Sequence, residues 1–570
     1  MTKVIVLGGG VAGMSAAHEL IERGFEVEVY EKKTKYVGGK ARSVDVPNTS
    51  IGGGQPLPGE HGFRFFPGFY RHITDTFKRI PFTNPETGQK NPQGVYDNLT
   101  NVTRCMIARN QKLPIYALTE FPKSLADLKV ILYDVFVPDT GLTKDDIEFF
   151  AERVWQLATS CKGRRNDEYE RLGWWEYMDA NNRSAAYVSL LVEGLTRSLV
   201  AAQAKTDNVK TCGNIFLQLL YSMLDPSNSS DRVLNAPTNE AWLHPWYDYL
   251  IGKGVKYHKD AEVVEIACDK HQIIGAKIQN HEKTKAYTVT GDYYICCMPV
   301  EAFAPLISED LLYLDSSLQS IPTLAKNVEW MNGAQYYLDR EVDINPGHIL
   351  FVDTPWALTG ISQVQFWPYY DLEKSYNGSA KAVLSVDISD WNQKGSNGKT
   401  AKECTKEEVL EEIWHQMEES LNIKGKPKVL DKDWIVYTYL DQDIVFEDDK
   451  AIDNKEPLLV NLVCTWSLRP NSYTNVPNLM LAADYVKTNT DIATMEAANE
   501  AARRAVNDII KKSGSSADYC PVYQLYEPNI LAPFRWYDKK RFDNGLPWEK
   551  DFPWWLEAFS VVYAFFRKIF

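Results

Sequence analysis

The sequence predicts an α/β fold in two lobes, and three observations carry that reading. The chain opens with a strand, a glycine-rich turn, a helix and a second strand; further buried-strand segments recur near residues 293 and 479. At 570 residues it is too long for one hydrophobic core of usual size. With 44% hydrophobic and 24% charged residues, the composition is that of a globular chain, neither disordered nor a multi-pass membrane protein.

The opening elements follow in order. Val4-Ile5-Val6-Leu7 reads as a short buried strand, too brief for a secretory leader. It runs into Gly8-Gly9-Gly10-Val11-Ala12-Gly13, a GxGxxG turn that starts a helix carrying Met14, Ala17, Leu20 and Ile21 at helical spacing up to Gly24. Val27-Glu28-Val29-Tyr30 is the second strand, closed by Glu31 and Lys32. Gly8 permits a tight turn, Gly10 lets the backbone approach a diphosphate, and Gly13 allows close helix–strand packing. The N–H groups of Val11 and Ala12 then face the phosphates, and Glu31 stands where an acid can accept hydrogen bonds from a ribose. A glycine turn alone is weak evidence. With all four parts in register it predicts a Rossmann-type dinucleotide-binding domain.

The next segment, Val37-Gly38-Gly39-Lys40-Ala41-Arg42-Ser43, resembles the GG-[RK]-x-x-[ST] signature of the flavin amine oxidase and phytoene desaturase superfamily. That resemblance implies FAD, with Gly38 and Gly39 passing close to its diphosphate and Lys40 or Arg42 offering positive charge. Two distant segments agree with it. Ala261-Glu262-Val263-Val264-Glu265-Ile266, followed by the strand Asp292–Pro299, resembles the second FAD segment of that superfamily, where Val263 would meet the adenine end through its backbone. Pro477–Asp484 and the helix from Thr494-Met495 resemble the third, with Asp484 at the ribityl or diphosphate region and the helix start at the pyrimidine side of the flavin. Ala483, Ala497, Ala501 and Ala502 depart from the glycines or small residues of that pattern.

The resemblance therefore predicts a discontinuous, glutathione reductase-like FAD domain from residues 1–75, 235–300 and 470–515. Two insertions would build an α+β substrate domain, 76–234 helical and 301–469 strand-rich. The first contains a helical pattern at Asp145–Trp155 and another at Ser184–Ala204, where Glu193 and Arg197 interrupt an apolar face. The tail, 516–570, ends in an aromatic stretch, Trp554–Phe570, whose Glu557, Ser560, Arg567 and Lys568 share one helical stripe of ~100°. Its wide apolar face predicts docking on protein or a place in a membrane interface.

Composition restricts the partners. Asp plus Glu number 76 against 62 Lys plus Arg, a net charge of -14 with no long basic run, which argues against nucleic acid. Nine cysteines, an odd number without a CxxC, predict reduced thiols and a cytoplasmic location, with a peripheral place on the inner face of a membrane as the alternative. Nine histidines without paired-ligand spacing predict no metal site. No stretch reaches the ~18 apolar residues of a membrane span. The 12% aromatic content suits a large apolar ligand or a membrane surface.

For the chemistry, Gly59-Glu60-His61-Gly62-Phe63-Arg64-Phe65-Phe66-Pro67-Gly68-Phe69-Tyr70 resembles the ExGxHxFFGxY stretch of plant and cyanobacterial carotene desaturases. Arg64 stands where that pattern has histidine. The resemblance implies that Gly62, Phe63 and Arg64 lie along the flavin. A guanidinium there stabilises developing negative charge but is no base at neutral pH; a purely structural Arg64, bonded to FAD or Glu60, is the competing reading. Glu60, Tyr70, or Arg64 with a water are the candidate proton acceptors. Amine oxidases of the superfamily carry a lysine on a substrate-lobe strand. The matching strand is Trp330–Leu338, with Asn332 about where that lysine would sit and Lys326 ahead of it. The expectation is an FAD-dependent oxidoreductase desaturating a long apolar polyene or isoprenoid, reoxidised by a quinone or oxygen. Amine oxidation, a redox-neutral isomerisation or dehydroxylation, and a non-enzymatic FAD scaffold are the alternatives.

Overall fold

Five parallel strands form the sheet on which the site is built. Their order is Leu479–Leu481, Tyr293–Cys296, Lys3–Leu7, Glu26–Tyr30, Lys256–His258. The coordinates, a computed structural model, describe residues 1–102, 104–116, 129, 140–194, 204–223 and 231–556. Lys3–Leu7 is the middle strand, and Val4 to Leu7 are fully buried, as a parallel strand covered on both faces requires. Successive side chains part to opposite cores. Val4 and Val6 pack with Met14, Ala17 and Leu20 of the helix Val11–Ile21 and with Ala502 and Val506 of the helix Met495–Ser513. Ile5 and Leu7 pack with Ile266, Ile273 and Ile278 of a three-stranded antiparallel sheet. Strands from three stretches far apart in sequence thus meet in one sheet between its two covers.

The second lobe is a seven-stranded mixed sheet ordered Ile435–Leu440, Asn332–Leu338, Ala382–Ile388, Leu358–Ser362, Ile349–Phe351, Met106–Arg109, Lys112–Tyr116. Every pairing is antiparallel except Ile349–Phe351 with Met106–Arg109. The helix Lys406–Leu421, started by a reciprocal Thr405/Glu408 cap, buries Val409, Ile413, Trp414 and Met417 against one face. One expectation is corrected here: residues 76–234 are not purely helical. Met106–Tyr116 forms a hairpin around Gln111 (φ 55) and completes the edge of this sheet. Its apolar runs are too short to show a helical period, and only pairing with residues 349–351, distant in sequence, makes them strands. The remainder of that insertion supplies the helices Lys144–Thr159 and Val209–Met223.

Of the expected Ser184–Ala204 helix, the described part has the short helix Ala185–Tyr187 running into a wider-wound turn, Val188–Gly194; residues 195–203, Arg197 among them, lie outside the described residues. The described part of the tail docks on the body. The helix Ala532–Asp543 is tied by Asp538 to the fully buried Arg164 (Nε to Oδ1 3.0 Å), and Phe534, Phe552 and Leu556 join Trp155 in one core. Trp554 and Trp555 are exposed, and residues 557–570 lie outside the described residues. Among the described residues no helix is long and apolar enough to cross a membrane. All nine cysteines are unpaired thiols, most of them buried.

Candidate active site

A cavity of about 1170 Å³ begins at the carboxyl ends of the parallel strands and runs to the underside of the seven-stranded sheet. That exceeds the ~300–1,000 Å³ of a usual small-molecule site, so it has room for a dinucleotide and a second molecule. Its first half is lined by Gly8, Gly10, Val11, Ala12, Glu31, Lys32, Gly38, Gly39 and Val263. The helix Val11–Ile21 starts at Gly10 with no side-chain cap and no acid in its first turn. Its free N–H groups therefore open on the cavity with the positive end of the helix dipole behind them. Glu31 is buried at the end of its strand, where one carboxylate oxygen accepts from Gly9 N (2.8 Å) and the other from Lys33 N (2.8 Å). Burial pushes its carboxyl upward, against those two bonds. Gly38 and Gly39 have φ of 85° and 59°, and a Cβ on Gly39 would lie 3.0 Å from Gly10 Cα. The two glycine turns thus rest on each other, a contact that side chains would prevent. Donors for a diphosphate, an acid for a ribose and a close backbone are all present, and the residues fit FAD.

Gly62, Phe63, Arg64 and Tyr70 line the second half with Asp484, Thr494 and Met495. Thr494 caps the helix Met495–Ser513, its hydroxyl accepting from Ala497 N (3.2 Å). Arg64 donates from Nε to Ala41 O and from Nη2 to Lys40 O, both at 3.1 Å. Its hydrogen-bond partners are carbonyls of the twin-glycine segment, not the Glu60 carboxylate. Lys40 lines the cavity but its ammonium is held by Glu301 (2.8 Å) and the Pro457 carbonyl.

Of the expected residues, Arg42 and Glu60 lie off the cavity, while Gly13 and Tyr70 keep their places with narrower roles. Gly13 does not line the cavity; it packs against the Gly8 carbonyl, which is the helix–strand contact foreseen for it. Arg42 is also absent from the lining: it bridges Asp443 (2.6 Å) and Glu456 (2.7 Å), with Lys33 2.7 Å from Glu456, so its charge is spent on a buried network. His61, Asp443 and Glu456 lie close enough to hold a metal ion, but those two cations already meet the carboxylates. Glu60 lies behind the cavity wall, where Oε1 accepts from Thr238 Oγ1 (2.9 Å) and Oε2 has no partner. Burial raises the Glu60 carboxyl, partly offset by Arg64. Tyr70 reaches the cavity, yet burial holds its phenol well above the ordinary tyrosine range, so it is a poor base.

Two groups were missed by sequence reasoning. Asp387 lines the cavity beside Gly62 and Arg64; burial pushes its carboxyl up to about 7, against the Arg64 charge and a bond from Phe63 N, and Oδ1 has no partner. The signal was an acid near the end of the strand Ala382–Ile388, whose other residues are apolar except Ser385. His348 lines it too, its Nδ1 paired with Asp231. Asn332, at the presumed lysine position, is buried and bonded at both ends of its amide: it donates to Asp441 (2.6 Å) and accepts from Asn454 (2.8 Å).

The family model described as flavin containing amine oxidoreductase matches residues 11–510. The chloroplastic/chromoplastic zeta-carotene desaturase of Capsicum annuum is 38% identical over 79 residues, 14% of this chain and only 12% of that protein's length. The zeta-carotene desaturase of Synechocystis sp. is 22% identical over 321 residues, 54% of this chain and 60% of that protein. Among solved structures, the cyclohexylamine oxidase of Brevibacterium oxydans superimposes with a TM-score of 0.58 at 11% identity, covering 90% of this chain and 99% of that one. A putative protoporphyrinogen oxidase from Exiguobacterium sp. gives 0.53 at 13% identity, with 90% and 99% covered. At such identities the structural likeness shows a shared fold.

Proposed function

The chain belongs to the flavin-containing amine oxidoreductases and is an FAD-dependent oxidoreductase, and on that premise we propose that it desaturates a long apolar polyene or isoprenoid. The observation that carries this reading is the far end of the cavity, where Ile107, Phe150, Val154, Ile215, Leu219 and Leu350 make an apolar wall continuous with the cofactor half. An extended hydrocarbon gains roughly 0.8 kcal/mol for each methylene it buries there; a small charged amine gains little. The strand Asn332–Leu338 supports the same choice, since the position where an amine oxidase of the superfamily would carry its lysine holds Asn332, an uncharged amide tied to Asp441 and Asn454.

When bound, FAD supplies the acceptor for a hydride drawn from a C–H bond. The chain's own residues do the rest. The apolar wall holds the substrate extended and excludes water. Asp387 takes the proton lost from the adjacent carbon: it lines the cavity, its carboxyl titrates near neutral pH, and one of its oxygens is uncommitted. Arg64, fixed by two carbonyls, keeps positive charge beside it. We propose a quinone or oxygen as the final electron acceptor, and delivery of substrate from a membrane surface, with the exposed Trp554 and Trp555 as the first contact.

Anaerobic mixing of the yellow holoprotein with carotenoid precursors, isoprenoid alcohols and a panel of amines tests the reading. Bleaching by a polyene or isoprenoid supports it. Bleaching by an amine alone refutes it, and product without bleaching assigns a redox-neutral reaction instead.

A further inference from the structure

Residue alternation on the two adjoining parallel strands decides what the roof of the cavity carries. Met106 pairs with Ile349, and both turn into the core under the helix Lys406–Leu421, as do Ala108 and Phe351. Cys105, Ile107, His348 and Leu350 turn the other way, and all four line the cavity. His348 is thus a polar group facing the cavity, as its partner Asp231 and the neighbouring Arg104 also are, with Phe63 on the cofactor side and Ile107 and Leu350 on the substrate side.

Its ring is fixed from three directions. Nδ1 faces the Asp231 carboxylate. The Phe63 ring lies 5.0 Å away, tilted, and the Phe65 ring 4.8 Å away, edge-on. A carboxylate on Nδ1 selects the tautomer with hydrogen there, which leaves Nε2 with its lone pair free. His348 is 5% exposed, and its Nε2 is buried without a hydrogen-bond partner. An acceptor left in that state costs about 1–3 kcal/mol, and the cavity is the side from which a partner can come.

We infer that the His348–Asp231 pair is a hydroxyl subsite: Nε2 accepts a hydrogen bond from an alcohol group on the substrate, whose class is an isoprenoid alcohol rather than a bare hydrocarbon. This rests on the apolar-substrate reading above and narrows it. The chemistry is one of recognition. Asp231 positions the ring, His348 selects the hydroxyl, and the apolar wall binds the chain that carries it. A substrate without the hydroxyl buries the same methylenes but leaves Nε2 unpaired.

Equilibrium binding to the oxidised holoprotein under anaerobic conditions tests the inference, read by quenching of tryptophan fluorescence. The probes are geranylgeraniol and the hydrocarbon of the same skeleton lacking the hydroxyl. The expected result is that the wild type binds the alcohol about tenfold or more tightly than the hydrocarbon. His348→Phe, which keeps the ring volume, then binds the two equally while retaining its flavin. Equal binding of both probes by the wild type overturns the subsite and leaves the apolar reading standing; a preference that survives in His348→Phe does the same. Binding of neither probe, with an amine from the panel bound instead, overturns both.

Discussion

Two glycines of the first turn, three residues apart, should fail in opposite ways when each is changed to alanine. A Cβ on Gly13 would stand 1.9 Å from the Gly8 carbonyl oxygen and 3.0 Å from its carbon. Ordinary contact begins near 3.4 Å, so the helix Val11–Ile21 must retreat by about 1.5 Å from the middle strand. That helix is sandwiched between the parallel sheet and the helix Met495–Ser513, where Ala16, Ala17 and Leu20 are fully buried, so there is no space to retreat into. Overpacking of this kind costs about 1–3 kcal/mol. A Cβ on Gly10 would meet nothing nearer than Gly39 Cα at 3.7 Å, and its φ of -70° suits alanine. Gly10→Ala should therefore keep the stability of the apoprotein within ~0.5 kcal/mol, while placing a methyl group on the wall where the FAD diphosphate would rest. A loss of ~1.4 kcal/mol there is a tenfold weaker FAD affinity. The assay pairs thermal unfolding of flavin-free protein at one scan rate with titration of FAD by flavin fluorescence. Gly13→Ala should lower the unfolding temperature; Gly10→Ala should leave it and weaken FAD. The reasoning is wrong if Gly10→Ala binds FAD as the wild type does, or if Gly13→Ala unfolds at the wild-type temperature.

Three further outcomes are expected. Arg164→Ala leaves the buried Asp538 charge unpaired and should cost about 3–5 kcal/mol; limited proteolysis should then cut ahead of the helix Ala532–Asp543, and unchanged resistance would dismiss the pair as an anchor. Burial alone would raise the Glu19 carboxyl, but Arg503 and Arg79 outweigh it and hold the folded value at about 2 against an ordinary 4.5. A depressed value contributes stability above the unfolded pKa, about 3 kcal/mol here, lost as pH falls from 4.5 through 2; Glu19→Gln should flatten the acid limb of unfolding temperature against pH. With Asp387 as proton acceptor, turnover should rise as pH passes about 7, and Asp387→Asn should abolish that limb while keeping flavin; a profile of unchanged shape assigns the proton to another group.

The nucleotide half was legible because its signals are local. Strand, turn, helix and acid lie within the first 31 residues, and each has a short-range physical reason that a distant contact rarely overrules. What the sequence concealed was non-local. Arg42 looked available for a diphosphate, but its partners Asp443 and Glu456 are 401 and 414 residues away. Glu60 matched the motif in place, yet whether it faces the cavity or the wall depends on its pairing with Ser43 and on Thr238, neither of which the motif contains. Asp387 and His348 were visible as polar residues at the ends of apolar strands. Which face they occupy follows from register, and register is a property of the neighbouring strand.

The strand Leu479–Leu481 and the helix Met495–Ser513 have a consequence for biosynthesis. A nascent chain carries its first glycine turn out of the ribosome long before the elements that close the far side of the cavity are translated. Until then Tyr293–Cys296 is an open edge of the parallel sheet, free to pair with a neighbouring polypeptide. A message cut short by a late stop codon would thus yield most of the polypeptide but none of its yellow colour, and a product dependent on chaperones for solubility.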